Sequence, residues 1–559
     1  QSDITIRGST FNGVLVLLDG ARINDPMTGH FLADMPVPLS DIARIEVLRG
    51  PASALYGPDA LGGVVQLFTH AGLHQEQGAP AASDEHATVQ VQMGRHGLYD
   101  VEGAARLARG DALFTASFTT QGSDGQPIST ADEEPVVDEE GRVRTDFRRT
   151  AGSLAWTQRL SENHSLFTRA GIDDRRFTAY QFYTSSPADN AREATSTYWA
   201  QTRYLGRLTP ATEVRAQIAA KQHEDAYRFT PQTPANEHTS RLFTGHTQIQ
   251  HTLSDQWQVS GGFSGMARSI ESNNLGAHSD EAGGAFTRLR WSPLTSLTLS
   301  GSARLDYDDA FGTEVTPQFY VAWSKPTYTL RAGAGRAVRG PNYVERYYNT
   351  ELDSPPDGSV GTPSLRAERA WSYEAGADLY PTERLALHVT GFARSTDGLI
   401  DFALEPDAEL FRSRNVLSVD TYGIEAETRW RHTWSANRHV EWTLAYTGLD
   451  ASIGDVDDAV TYTYAVSSAR HHVQGTARMQ WGAVGASVQT QWKERLDAPD
   501  PADLSYSVTH ARAFYTTSAL STDATLSFEV RNIFDRSYSE VFNAPMPERW
   551  WLVGISVDV

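Results

Sequence analysis

Several groups of residues in this chain have the types and spacing that chemistry uses. Residues 131–141, "ADEEPVVDEEG", gather Asp132, Glu133, Glu134, Asp138, Glu139 and Glu140. Such a loop offers the many oxygens a Ca²⁺ ion takes, although it lacks EF-hand spacing and reads equally as a solvated acidic loop. "GDVDDAV" at 454–460 is a weaker version of the same pattern. His471 and His472 are adjacent, so in a strand they face opposite sides and do not form a joint metal site. There is no cysteine, which removes disulfides, thiolate zinc sites and Cys nucleophiles. No nucleophile motif and no phosphate-cradling glycine loop appears, so the chain is read as a non-enzyme without a required cofactor. The net charge of −21, with only Lys221, Lys325 and Lys493 as lysines, argues against nucleic acid as a partner.

Two regimes of sequence must position these groups. Residues 1–72 hold short apolar runs at 14–18, 45–48 and 64–69, punctuated by Gly, Pro and Asp. Residues 73–86 are polar with Gly, Pro and Ala, and read as a linker. From 87 to 559 strict alternation dominates. In "ATVQVQM", Ala87, Val89, Val91 and Met93 share one face; in "LFTASFT", Phe114, Ala116 and Phe118 lie opposite Thr115, Ser117 and Thr119. Tryptophans recur at strand ends (Trp156, Trp257, Trp291, Trp323, Trp430, Trp481), as in an interfacial girdle. Mean hydropathy is −0.42, which alternation of this kind produces even in a membrane barrel.

Ten short turns are legible, near 109–112, 160–165, 209–213, 253–257, 292–296, 324–328, 380–384, 434–439, 481–485 and 520–524. With the longer connections between them they predict 22 antiparallel strands, short turns on one side and long loops on the other. About 10 residues suffice to cross the hydrocarbon, so such strands extend beyond it. A barrel of that size is wide enough to leak unless plugged, and the Gly-punctuated first 72 residues are the natural occluder. The expected fold is therefore an all-β membrane protein: a 22-stranded antiparallel transmembrane barrel with an N-terminal α+β plug in its lumen.

The motifs now in view resemble those of the TonB-dependent outer-membrane receptors, over nearly the whole chain. They are "IRG" (6–8), "VLVLLDGARINDP" (14–26) and "IARIEVLRGPASALYGPDALGGVVQLFT" (42–69) in the plug. In the barrel they are "GAGRAVRGPNYVERYYN" (333–349), "PSLRAERAWSYEAG" (363–376), "YGIEAE" (422–427), "VRNIFDRSYSE" (530–540) and "PMPERWWLVGISVDV" (545–559). Three departures stand out. Only six residues precede Arg7, where the family's plug carries early strands and a TonB box, so the N-terminal part of the plug is expected to be missing. The chain ends in Val559 rather than an aromatic residue. "VRGPN" replaces a more usual Phe-Arg-Ala-Pro.

The resemblance implies import of a scarce large nutrient across the outer membrane of a Gram-negative-type bacterium. It also implies a TonB-ExbB-ExbD type inner-membrane complex as partner, outer-membrane lipid around a monomer, and no nucleic acid. The ending looks closest to the vitamin B12 transporter group, whose members carry calcium in loops, and cobalamin and ferric siderophores are the two ligand classes. Haem is less expected, because residues 341–365 lack the histidine that haem receptors place there. A passive porin-like channel and an outer-membrane hydrolase are the rival readings. The family locks plug to wall with Arg–Glu pairs, which maps onto Arg7 and Arg49 in the two RG motifs and onto Glu374 and Glu425 in the wall. Parity agrees independently. Trp371 and Tyr373 share one face and Tyr422 and Ile424 another, so Glu374 and Glu425 point into the lumen, where a carboxylate is far cheaper than against lipid. Ligand is expected from outside, at the apex 24–31 with Met27 and His30. The loop 173–190 adds Phe177, Tyr180, Phe182 and Tyr183, and the stretch 343–348 adds Tyr343 and Tyr347.

Overall fold

In a computed structural model the chain forms a closed barrel with a small mixed domain inside it. The structure describes residues 3–559 apart from 31, 34, 78–84, 127–144, 185, 187–188, 351–357, 416–417, 455–459, 463–468, 497–503, 519–521 and 541–543. The candidate calcium ligands Asp132, Glu133, Glu134, Asp138, Glu139 and Glu140, and most of the second acidic stretch, lie outside the described residues.

Twenty-two antiparallel strands close the barrel, the last, Trp550–Asp558, pairing with the first, His86–Gly94. Every predicted short turn falls between paired neighbours, and the longest strands, such as Asn236–Ser254, reach 19 residues. Alternation sorts side chains as expected. Phe114 and Phe118 face outward and are exposed, while Thr115, Ser117 and Thr119 face inward and are buried. Outward apolar residues form the band a bilayer would cover. At the short-turn rim the tryptophans stack across strands, Trp257 on Trp291 at 5.1 Å and Trp430 on Trp442 at 6.3 Å.

The inner domain is built on a four-stranded sheet, ordered Ala21–Arg22, Val14–Leu18, Gly63–Thr69, Ile42–Arg49. Val14–Leu18 is apolar at every position because both of its faces are covered. Val14, Val16 and Leu18 pack with Leu67 and the wall residue Trp199, and Leu15 and Leu17 pack with Ala52, Ala60 and Val64. Ile42–Arg49 is an edge strand, exposed over most of its length.

The predicted linker begins too early. Residues 73–77 belong to the helix His70–Gln77, which is held against the wall because Arg203 donates to the Gly72 carbonyl and to Gln75 Oε1. On the long-loop side a second four-stranded sheet joins Ser359–Val360, Phe411–Asn415, Ile400–Leu404 and Thr461–Tyr462 above the lumen.

Candidate functional site

The junction between plug and wall is the polar centre of the molecule. Arg7 sits in a left-handed turn (φ 53°) just before the plug sheet. Its Nη1 donates to Glu374 Oε2 at 2.8 Å and its Nη2 to Glu425 Oε2 at 2.7 Å, while the guanidinium lies 4.7 Å over the Phe392 ring. Burial works against its charge, but the two carboxylates outweigh that and raise its pKa further. Arg49 adds a more exposed contact to Glu425 at 3.2 Å. Gly50 has φ 92°, and a Cβ there would lie 3.2 Å from Glu374 Oε2, so the second RG motif needs its glycine for both backbone and clearance. All four residues read from the sequence as a plug–wall set are thus brought together.

Three further junctions were not read from the sequence. Arg169, 1 % exposed, reaches from the wall to Asp41 and lies 3.7 Å from Asp19, whose carboxylate also accepts from Thr69 N and Thr69 Oγ1. Arg203, fully buried, donates to the carbonyls of Asp19 and Gly72. Lys221 Nζ donates to Asp25 Oδ2 and to the Ile23 carbonyl, both at 2.9 Å. Parity alone would have turned Arg169 inward, since it shares a face with Phe167 against an outward Ile172. Nothing in the sequence marks which plug carbonyls such donors meet.

Asp25 carries a pH dependence. Burial alone would push its carboxyl up, yet Lys221, with His223 and the Met27 N–H, brings it down to about 2. The folded value lies below the unfolded one near 3.8, so this contact stabilises the docked plug above pH 4 and is lost as pH falls toward 2. The difference corresponds to roughly 2 kcal/mol. Near-ultraviolet circular dichroism in detergent across that range should show a plug transition in the native chain, and an Asp25→Asn variant should lack that part of its acid dependence.

Toward the long loops, Arg339, Glu345 and Glu368 form a buried triad. Arg339 donates to both Glu345 oxygens at 2.9 and 3.0 Å and to Glu368 Oε1 at 2.5 Å. Glu345 also accepts from plug Asn12 Nδ2, and Glu368 accepts from the Ile400 N–H, so the triad ties the plug to the outer sheet.

The residues predicted to meet ligand are placed together but largely packed. Met27 (4 % exposed) lies in a cluster with Ile270, Leu275 and Tyr343 (1 % exposed), whose hydroxyl donates to the Arg268 carbonyl. Tyr180 and Phe182 are buried, and Phe177 is partly buried against the same loop cluster. Tyr183 donates to Glu193 and meets His30 edge-on at 5.6 Å, and His30 stacks on Phe11 at 4.2 Å and contacts Asp3 through Nδ1. Tyr347 stacks on His278 at 3.5 Å. Loop aromatics bury more apolar area against the plug apex than they would left in water, which is why they turn inward. The cavities beside the apex, lined by Asp25, His30, Lys221 and His223 on one side and by Asn12, Arg22 and Asn342 on the other, are ≈ 40 and ≈ 50 Å³. Among the described residues those two cavities hold only water-sized groups.

Residues 92–533 match the family model "TonB dependent receptor-like, beta-barrel", and residues 1–64 match the "TonB-dependent Receptor Plug Domain". The vitamin B12 transporter BtuB of Photobacterium profundum is 24 % identical over 72 % of this chain, which spans 62 % of that protein. BtuB of Vibrio cholerae is 22 % identical over 99 % of this chain and 85 % of its own length. Among solved structures, the ferric enterobactin receptor of Pseudomonas aeruginosa superposes with a TM-score of 0.79 at 16 % identity, covering 99 % of this chain and 93 % of its own. The FrpB iron transporter of Neisseria meningitidis gives 0.79 at 12 % identity, with the same coverage. With a closed 22-stranded barrel, a plug in its lumen and a family model matched over most of its length, this chain belongs to the TonB-dependent receptors, plugged β-barrels of the outer membrane of Gram-negative bacteria.

Proposed function

We propose that this chain imports a scarce nutrient too large for porins, cobalamin or a ferric siderophore, on energy delivered by a TonB-ExbB-ExbD type complex of the inner membrane. The observation that carries the reading is the bridge from Arg7 to Glu374 and Glu425. It closes the N-terminal side of the plug, so a pull along the segment entering at Ile4 reaches this bridge before it reaches the plug sheet. Ligand capture by the aromatic loop and plug apex opens the contacts of His30 and Tyr183. Release of Arg7 then lets part of the plug leave the lumen. The protein works as a monomer, and the acidic loop at 131–141 supplies oxygens for Ca²⁺ if cobalamin is the cargo. The relatives named as vitamin B12 transporters support the first ligand class, and the structural neighbours named for enterobactin and iron support the second.

Calorimetric titration of the detergent-purified protein separates them. Submicromolar binding of cyanocobalamin that weakens without Ca²⁺ is the cobalamin outcome, and gives the acidic loop its role. Binding of a ferric catecholate or hydroxamate with no response to cobalamin is the siderophore outcome. No heat with any of them would sink both assignments.

A further inference from the structure

Among the described residues, Arg394 is a buried cation with no hydrogen-bond or ion-pair partner. It lies on the strand Leu385–Asp397 and faces the lumen with Thr390, Phe392 and Thr396. It is 7 % exposed, and its buried Nε makes no hydrogen bond. The residues in register with it on the two neighbouring strands are Ser372 and Thr421. Both hydroxyls are buried without a hydrogen bond as well. The charged groups that act on Arg394 are Glu368 and Arg7, and each is engaged elsewhere: Glu368 with Arg339, Arg7 with Glu374 and Glu425. Buried polar groups are nearly always paired, so an unpaired guanidinium between two unpaired hydroxyls calls for a reason.

The register supplies one. Glu374 stands opposite Phe392, one step along the same lumen face from the Ser372–Arg394 pair. That makes Glu374 the diagonal neighbour of Arg394, about 7–8 Å away between Cα atoms and within the span of an arginine side chain. Phe392, on which Arg7 now lies, is two residues from Arg394 on the same face. When Arg7 leaves, Glu374 is stranded in the wall unless another cation takes it, and Arg394 has no contact to break in doing so. We propose that Arg394 is the wall's replacement for Arg7: it turns onto Glu374 as the plug segment withdraws, and thereby stabilises the released state. The proposal rests on the reading that the plug moves. Its test nonetheless reads the docking equilibrium alone, without ligand or transport.

Amide hydrogen exchange in Val14–Leu18, measured on the full chain in detergent, reports how often the plug opens. Arg394→Met should slow that exchange about tenfold, because the released state loses its cation. Arg394→Lys should restore it to near the native rate. A residue that merely stabilised the closed protein would speed exchange on removal, so unchanged or faster exchange in Arg394→Met overturns the proposal. A crystal structure of Arg7→Met supplies the second readout. The Arg394 guanidinium is expected within hydrogen-bond distance of Glu374. Arg394 left between Ser372 and Thr421, or a soaked bromide ion held by these three side chains, would overturn it in favour of an inert residue or an anion site. If titration finds no ligand while exchange slows in Arg394→Met and Arg394 is found on Glu374 in Arg7→Met, the import reading fails and the exchange of partners stands.

Discussion

Asp41→Ala should loosen the plug by about 3–5 kcal/mol, the cost of leaving a buried charge without its partner. Asp41 is 2 % exposed and accepts from Arg169, Ser117 and Ser153. Without it Arg169 keeps the Ser153 hydroxyl at 2.7 Å, but the one carboxylate left beside it among the described residues is Asp19 at 3.7 Å, in a buried site. Hydrogen exchange in Gly63–Thr69 should rise by about two to four orders of magnitude, which is that cost at about 1.4 kcal/mol per tenfold, while the barrel strands hold their protection. Asp41→Ala combined with Arg169→Met should recover part of the loss, since removing both charges costs less than stranding one. A double variant as loose as Asp41→Ala would show that packing, not charge, fastens this side.

Arg339→Met should act at the other end of the plug and through the opposite sign. It leaves Glu345 and Glu368 buried beside each other without their hydrogen-bonded cation, again at a cost of about 3–5 kcal/mol. The Ile400 N–H depends on Glu368, and the Ser413 hydroxyl bonds the Glu345 carbonyl, so the outer sheet should fray first. Limited proteolysis should cut within Ile400–Leu404 or Phe411–Asn415 in the variant and leave them intact in the native chain. The triple variant Arg339→Met, Glu345→Gln, Glu368→Gln should resist better than the single one. If it does not, the triad matters for its shape rather than its charge balance.

What could be read from the sequence follows from what leaves a mark in it. Strands leave a period of two, and each of the ten tight turns carries a Gly, Asn, Asp or Pro, so the strand number and the sorting of Phe114 from Thr115 were visible. Arg7, Glu374 and Glu425 were visible because the family resemblance mapped an Arg–Glu lock onto the RG motifs and these two glutamates, which parity independently turns inward. The aromatic loop was visible by composition, but its direction was not. Tyr343 packs with Met27 and Phe182 meets His30 edge-on at 5.9 Å, partners far away in the chain, and no local pattern encodes that. Arg169, Arg203 and Lys221 were legible only as inward-facing. Arg169 meets the carboxylates of Asp41 and Asp19, while Arg203 and Lys221 also reach the main-chain carbonyls of Asp19, Gly72 and Ile23, and a carbonyl is something every residue has and none advertises.

That last feature bears on how such a plug changes over generations. The wall reaches the plug through Arg149 to the Met35 carbonyl, Arg203 to Asp19 and Gly72, Gln217 to Asp19, Lys221 to Ile23, Trp199 to Pro36 and Gln318 to Pro51, all at carbonyl oxygens. A fastening made to the main chain is indifferent to the side chains beside it. Substitutions at Met35, Ile23 or Pro51 that keep the backbone path leave these bonds standing. The barrel should therefore tolerate substitutions in its own stopper, and a foreign plug that traces the same course and keeps Arg7, Asn12, Asp19, Asp25 and Asp41 should seat in it.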